Sequence, residues 1–187
     1  MRINDLYSTP IAVVDDVYVD PSTIAQRAQK LVEHKNSRPS DWYCTTNTTI
    51  HYDNRVDRDN TIKPLADSVQ THLNTYSQQI WKEDCQIIHC WANVSKSNDG
   101  QERHNHITRS TVHISAVYYP QVEDSNQSEK LIFAPPFALY DIISTEREMV
   151  RVKTNRLIIF PAYLEHYFVP IHRNINKISI AFNAIVK

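Results

Sequence analysis

Apolar residues recur at helical spacing through the first half of the chain and fall into short β-branched runs through the second. Residues 11–19 form a Val-rich run and predict a strand. Asp20-Pro21-Ser22-Thr23 predicts a helix start, with Asp20 as the capping acceptor and Pro21 at the first helical position, where no N–H is needed. Ile24, Ala28, Leu31 and Val32 carry that helix to about His34. Residues 36–41 read as a polar loop, 42–52 as a strand rich in Thr and Tyr, and 55–60 as a charged, exposed stretch. A second helix is predicted from about Pro64. Leu65, Val69, Leu73, Tyr76 and Ile80 form a stripe at steps of four, four, three and four.

From Gln86 onward the pattern predicts strands at 86–94, 111–119, 130–133, 149–152, 156–160 and 177–186. Turn-rich stretches at 95–100 and 123–129 separate some of them. Many short strands at near-regular spacing indicate a β-sandwich or jelly roll. The chain shows no internal repeat, low-complexity tract or linker. The expectation is a mainly β (α+β) single domain spanning 1–187. Residues 1–85 would be a helical support region, packed on one sheet of a β core at 86–187.

Composition narrows the function classes. Twenty basic and 21 acidic side chains give a formal net charge of -1, so nothing electrostatic favours nucleic acid or an anionic membrane as partner. No apolar run has the length needed to span a bilayer. The first nine residues carry charge and no apolar run, so no signal peptide is expected there. Cys44, Cys85 and Cys90 cannot all pair within one chain, and free thiols in a reducing cytoplasm are expected. Cys85 and Cys90 are too far apart for a CxxC motif. The single glycine, Gly100, excludes glycine-rich phosphate loops. Turns must therefore use Asn, Asp, Ser and Pro.

Nine histidines are present. His34, His51, His72, His89 and His172 have no spaced partner and read as structural or surface residues. His104-Asn105-His106 differs, because residues i and i+2 of a strand share a face and two imidazoles there can hold one metal ion. His166 supplies a third candidate after the apolar strand at 157–160 and a Pro-Ala-Tyr-Leu-Glu turn. Mononuclear Fe(II) oxygenase sites usually combine two His with one carboxylate and keep the remaining positions open. Here His106 stands where that carboxylate would be. Three imidazoles can also bind Fe(II). The alternatives are His104 and His166 with water in the third place, or a carboxylate from Glu102 or Glu165.

These motifs resemble a group of 2-oxoglutarate- and iron-dependent oxygenases of marine bacteria and bacteriophages, distant relatives of prolyl hydroxylases. That group runs W-x-N, H-N-H, S-G-V-Y-Y, F-P-S-W-L-E-H and S-I-S-F-N. This chain has Trp91-Ala92-Asn93, His104-Asn105-His106, Ser115-Ala116-Val117-Tyr118-Tyr119, Phe160-Pro161-Ala162-Tyr163-Leu164-Glu165-His166 and Ser179-Ile180-Ala181-Phe182-Asn183, in the same order. Thr9-Pro10-Ile11 with Asp15-Asp16 is also similar to the group's opening. Ala116 and Asn155 stand where the group has Gly. The match is dense only from Trp91 to Asn183.

The resemblance implies a double-stranded β-helix, with Fe(II) on His104, His106 and His166 and with 2-oxoglutarate as cosubstrate. It implies an iron-dependent dioxygenase that converts 2-oxoglutarate and O₂ to succinate and CO₂ while hydroxylating a substrate C–H. The cosubstrate's far carboxylate would then meet a cation that opens the last strand. Lys177 has that place, where the group usually has Arg, and Ser179 would assist it; Arg173 is the reserve. Tyr119 would donate its phenol to the same carboxylate and Asn93 would line the pocket. Trp91 reads as core filling and His113 as a hydrogen-bonded core residue. The substrate is not legible, and specificity would lie in loops at 36–41, 55–60, 122–129 and 134–141. Two rival readings are a three-His iron dioxygenase that does not use 2-oxoglutarate and a non-catalytic jelly-roll binding or structural module. A zinc hydrolase is disfavoured by the lack of an HExxH motif.

Overall fold

A computed structural model of the chain describes residues 9–33, 46–107, 111–123, 129–136, 148–169 and 176–187. Strand β1 (Ala12–Asp15) is shorter than the apolar run predicts, because Asp16 turns into the left-handed region at φ 55° and ends it. Helix α1 (Pro21–Glu33) starts where the cap signal puts it. Asp20 Oδ1 accepts from the Thr23 backbone N–H at 3.2 Å and from the Ser22 hydroxyl at 2.8 Å. The described part of the 42–52 run holds only the short β2 (Asn47–Thr48). Residues 55–60 are not simply an exposed stretch. Val56 is buried in a 3₁₀ turn (Val56–Arg58), with Arg55 paired to Asp57 and Arg27 of α1 paired to Asp59. Helix α2 (Lys63–Ile80) buries Leu65, Val69, Leu73 and Tyr76, while Ile80 stays 36% exposed at its end.

The remaining strands are β3 (Cys85–Ser95), β4 (Gln101–His104), β5 (Ile114–Glu123), β6 (Lys130–Phe133), β7 (Glu148–Arg151), β8 (Arg156–Pro161), β9 (His166–Phe168) and β10 (Asn176–Val186). They form two antiparallel sheets. The larger has the order β1-β8-β5-β10-β3-β2 and the smaller β4-β9-β6-β7. From β3 to β6 and again from β7 to β10, the chain alternates between the sheets at each strand. That winding is the double-stranded β-helix expected above.

Both faces of the larger sheet are covered. Helices α1 and α2 pack on its outer face, where Ile178, Ile180, Phe182 and Ala184 of β10 join Leu65, Val69, Leu73, Ile24 and Ala28. Each such fully buried aliphatic side chain contributes roughly 1.5–3 kcal/mol. The inner face meets the smaller sheet through Trp91, Val117, Tyr119, Leu131, Phe133, Phe160 and Ala181. Alternation along β10 therefore sends Lys177, Ser179, Ala181 and Asn183 inward, all less than a tenth exposed. The candidate site residues Tyr119, Lys177 and Ser179 lie in this inner layer.

A three-histidine centre between two sheets

His104 ends β4 and pairs in register with His166 of β9. Cross-strand partners project to one side, so their rings meet with centroids 4.4 Å apart. His106 lies just beyond β4 and is held by its own backbone, whose N–H donates to Ala162 O at 2.9 Å. Its ring stands 5.2 Å from His104 and 5.0 Å from His166. One nitrogen from each ring lies within 4.8 Å of the others. The chain thus brings its three spaced histidines together. Shared strand geometry explains His104 and His166 rather than the HxH pair, since the strand stops between His104 and His106.

The other ring nitrogen of each histidine faces a protein oxygen. His104 Nδ1 lies 2.8 Å from Glu102 O, and His166 Nδ1 lies 3.1 Å from Leu164 O. His106 Nδ1 lies 2.7 Å from Asn183 Oδ1 and 2.8 Å from Ser115 Oγ. An Nδ1–H donated to a carbonyl leaves Nε2 with its lone pair exposed, which is the tautomer a metal ion needs. Burial keeps all three rings neutral. It lowers His104, takes His106 down to about 4 and pushes His166 well below the ordinary histidine range; the neighbouring imidazoles add to the last two effects. Neutral, converging imidazoles fit Fe(II) without prior loss of protons.

The carboxylate alternatives are placed differently. Glu165 is engaged by Arg103, with oxygen-to-nitrogen distances of 2.5 and 2.6 Å, and it lines the mouth beside Glu102. A pocket of about 490 Å³ opens in front of the histidines, with Ile50, His89, Trp91, Gln101 and Asn105 in its walls. Trp91, expected as core filling, is 5% exposed and lies 5.5 Å from the His106 ring. His113 accepts the Val186 N–H at 2.8 Å but is exposed rather than in the core.

Lys177 is inside the sandwich, 4% exposed, and its Nζ bonds to Glu129 Oε1. The ammonium also sits 3.3 Å above the Phe168 ring. Ser179, on the same face of β10, accepts from Asn93 Nδ2 at 3.4 Å. Tyr119 is fully buried, and its hydroxyl has no hydrogen-bond partner among the described residues. Burial, and then the charge of Glu129, raise its phenol well above the usual range, so it remains a donor. A cation, an unused phenol and a hydroxyl–amide pair in one dry layer fit a carboxylate. Glu129 and Phe168 were not legible as site residues. Glu129 closes a polar, turn-rich run, and its partner lies 48 residues away, so no local pattern marks it. Arg173 lies outside the described residues.

No curated protein sequence matches the chain. Among solved structures it is similar to a Pseudomonas putida prolyl-4-hydroxylase, with 12% identity and a TM-score of 0.70 over 95% of this chain and 94% of that one. It is also similar to a Trichoplax adhaerens prolyl hydroxylase solved with a hypoxia-inducible-factor peptide, with 10% identity and a TM-score of 0.69 over 92% and 82%. The viral collagen prolyl hydroxylase of Paramecium bursaria Chlorella virus-1, solved with 2-oxoglutarate, gives 10% and 0.61 over 94% and 96%. These likenesses establish the fold class, the double-stranded β-helix of 2-oxoglutarate oxygenases. The family described as "Putative 2OG-Fe(II) oxygenase" matches residues 89–183, just over half of the chain. The chain belongs to this 2OG-Fe(II) oxygenase family, and with it come Fe(II) as cofactor and 2-oxoglutarate and O₂ as cosubstrates.

Proposed function

We propose that this oxygenase is a hydroxylase in which His104, His106 and His166 hold Fe(II) through Nε2. Lys177, helped by Tyr119 and Ser179, anchors the far carboxylate of 2-oxoglutarate, and Asn93 keeps Ser179 in place. The observation that carries this reading is that one ring nitrogen from each of the three histidines lies within 4.8 Å of the others, while each Nδ1 faces a protein oxygen. Bound iron supplies the oxidative chemistry, and no side-chain acid or base is needed. The protein's own contribution is geometric. Asn183 and Ser115 orient His106, the inner layer excludes water from the cosubstrate, and the pocket at Trp91 and Ile50 receives the substrate.

The whole chain works as one unit in this reading, with residues 1–85 supporting the β-helix core at 86–187. The balanced charge argues against nucleic acid as substrate. Buried free thiols at Cys85 and Cys90 support a cytoplasmic setting, that of a bacterium or of a phage's host. No helix among the described residues is long and apolar enough to cross a membrane.

Anaerobic Fe(II) titration followed by succinate measurement tests the assignment. Wild type should bind one iron and form succinate, and His166→Ala should lose both. Removing Lys177 alone takes a cation away from buried Glu129 and destabilises the fold. The double variant K177M/E129Q avoids this, and it should keep iron while binding 2-oxoglutarate at least about tenfold more weakly than Glu129→Gln does. O₂ consumption without succinate would instead favour an iron dioxygenase that does not use 2-oxoglutarate.

A further inference from the structure

An ammonium buried this deeply needs an anion beside it. Lys177 has one from its own chain. Glu129, 3% exposed, reaches it from just before β6, where the Val152 N–H fixes the Glu129 carbonyl at 3.0 Å. The Phe168 ring covers the ammonium on another side. The pocket in front of the histidines reaches Asn183 on β10, and Lys177 is not in its walls. Phe168 and His166 share a face of β9 two residues apart, a step of about 7 Å. A short diacid with its keto-acid end at the histidines would follow that step, and its far carboxylate would arrive where the Glu129 carboxylate lies.

We infer that Glu129 occupies the seat of the cosubstrate's far carboxylate and thereby sets how strongly the chain selects a 2-oxo diacid over a 2-oxo monoacid. The inference rests on Lys177 being the cosubstrate's anchor. One ammonium cannot serve two carboxylates at full strength, and two carboxylates in one dry seat repel. The diacid therefore gains only the difference between its own pairing with Lys177 and the pairing it displaces. A monoacid such as pyruvate leaves Glu129 where it is and loses nothing. The apparent affinity for 2-oxoglutarate is reduced by the fraction of molecules in which Glu129 has swung away. Because the Val152 N–H holds the Glu129 carbonyl, the movement required is a side-chain rotation. The Tyr119 hydroxyl, which has no partner among the described residues while Glu129 is in place, gains an acceptor when the incoming carboxylate takes over.

The test is calorimetric titration of Mn(II)-loaded full-length protein with 2-oxoglutarate and, separately, with pyruvate. Glu129→Gln keeps the side chain's size and its hydrogen-bonding capacity but removes the charge. It should tighten 2-oxoglutarate by about tenfold or more and leave pyruvate unchanged. An increase below about threefold, or a loss, would overturn the inference, and a value between these limits supports it as a weaker competitor. Should Glu129→Gln fail to fold, the wild-type ratio decides. A preference for 2-oxoglutarate under about a hundredfold supports a resident competitor, and a larger one overturns it, because an unopposed charged hydrogen bond is worth roughly that factor. The K177M/E129Q variant separates the two layers of the argument. If it loses 2-oxoglutarate while Glu129→Gln matches wild type, only the competitor is wrong. If it binds 2-oxoglutarate as tightly as Glu129→Gln does, the anchor assignment falls as well.

Discussion

Among the described residues, Asn183 touches the candidate metal site through His106. Its Oδ1 accepts from the ring at 2.7 Å and from Ser115 Oγ at 3.0 Å, so the imidazole is fixed from the larger sheet while its neighbours come from the smaller one. Removing such an outer partner usually lowers metal affinity by about 10–100-fold. Asn183→Ala should show that loss in a Co(II) or Fe(II) titration, with an unchanged far-UV circular dichroism spectrum. An unchanged metal affinity would mean that Ser115 alone orients the ring. The histidines themselves were legible because a spacing of two and a turn-bounded single His are local patterns. Glu129 was not, since only tertiary structure brings it to Lys177. Asn155 shows a different limit. It stands where Gly is common, and its φ of 64° explains why Gly suits the position. Its side chain adds what Gly cannot, accepting from the Tyr18 N–H and the Tyr118 hydroxyl and donating to Tyr18 O.

Among the described strands, β1 forms the edge of the larger sheet and pairs only with β8. A side-chain clamp supplements the backbone ladder. Asp15 takes two bonds from Arg156, at 2.7 and 2.9 Å, and one contact from Lys153 at 3.0 Å. The Arg156 hydrogen bonds, opposed by burial and helped by Lys153, hold the Asp15 carboxyl down to about 2. A carboxyl depressed on folding stabilises fully above its unfolded value near 4 and loses that effect as pH falls toward 2. Since Asp15 is 38% exposed, solvent screening limits the contribution to roughly 0.2–1 kcal/mol. Urea unfolding at pH 5 and pH 2.5 should show wild type losing this amount more than Asp15→Asn does, and added salt should shrink the gap. At this scale the sequence marked α1, α2, β3, β6, β8 and β10 well, because caps, stripes and β-branched runs are strong signals. It missed β9, which has three residues and follows directly on a turn. It also overran β1, where the left-handed Asp16 overrides strand propensity.

The two sheets meet at the histidines. His104 and His166 belong to the smaller sheet, and His106 is tied through Asn183 to the larger. An ion bound by all three would therefore cross-link the sandwich at its open end. Binding to the folded chain alone, at a hundred times the dissociation constant, adds about 2.7 kcal/mol. For a chain of this length that corresponds to a Tm rise of roughly 5–10 °C. Differential scanning calorimetry with and without Mn(II) should show the rise, and His166→Ala should abolish it. Buried Trp91 has its ring 5.5 Å from His106, whereas Trp81 is at the end of α2 and 36% exposed. An ion held by His106 would lie beside that indole, so a paramagnetic metal should take up its excitation and give the candidate site an optical reporter, dimmed when the metal is in place and bright when it is absent.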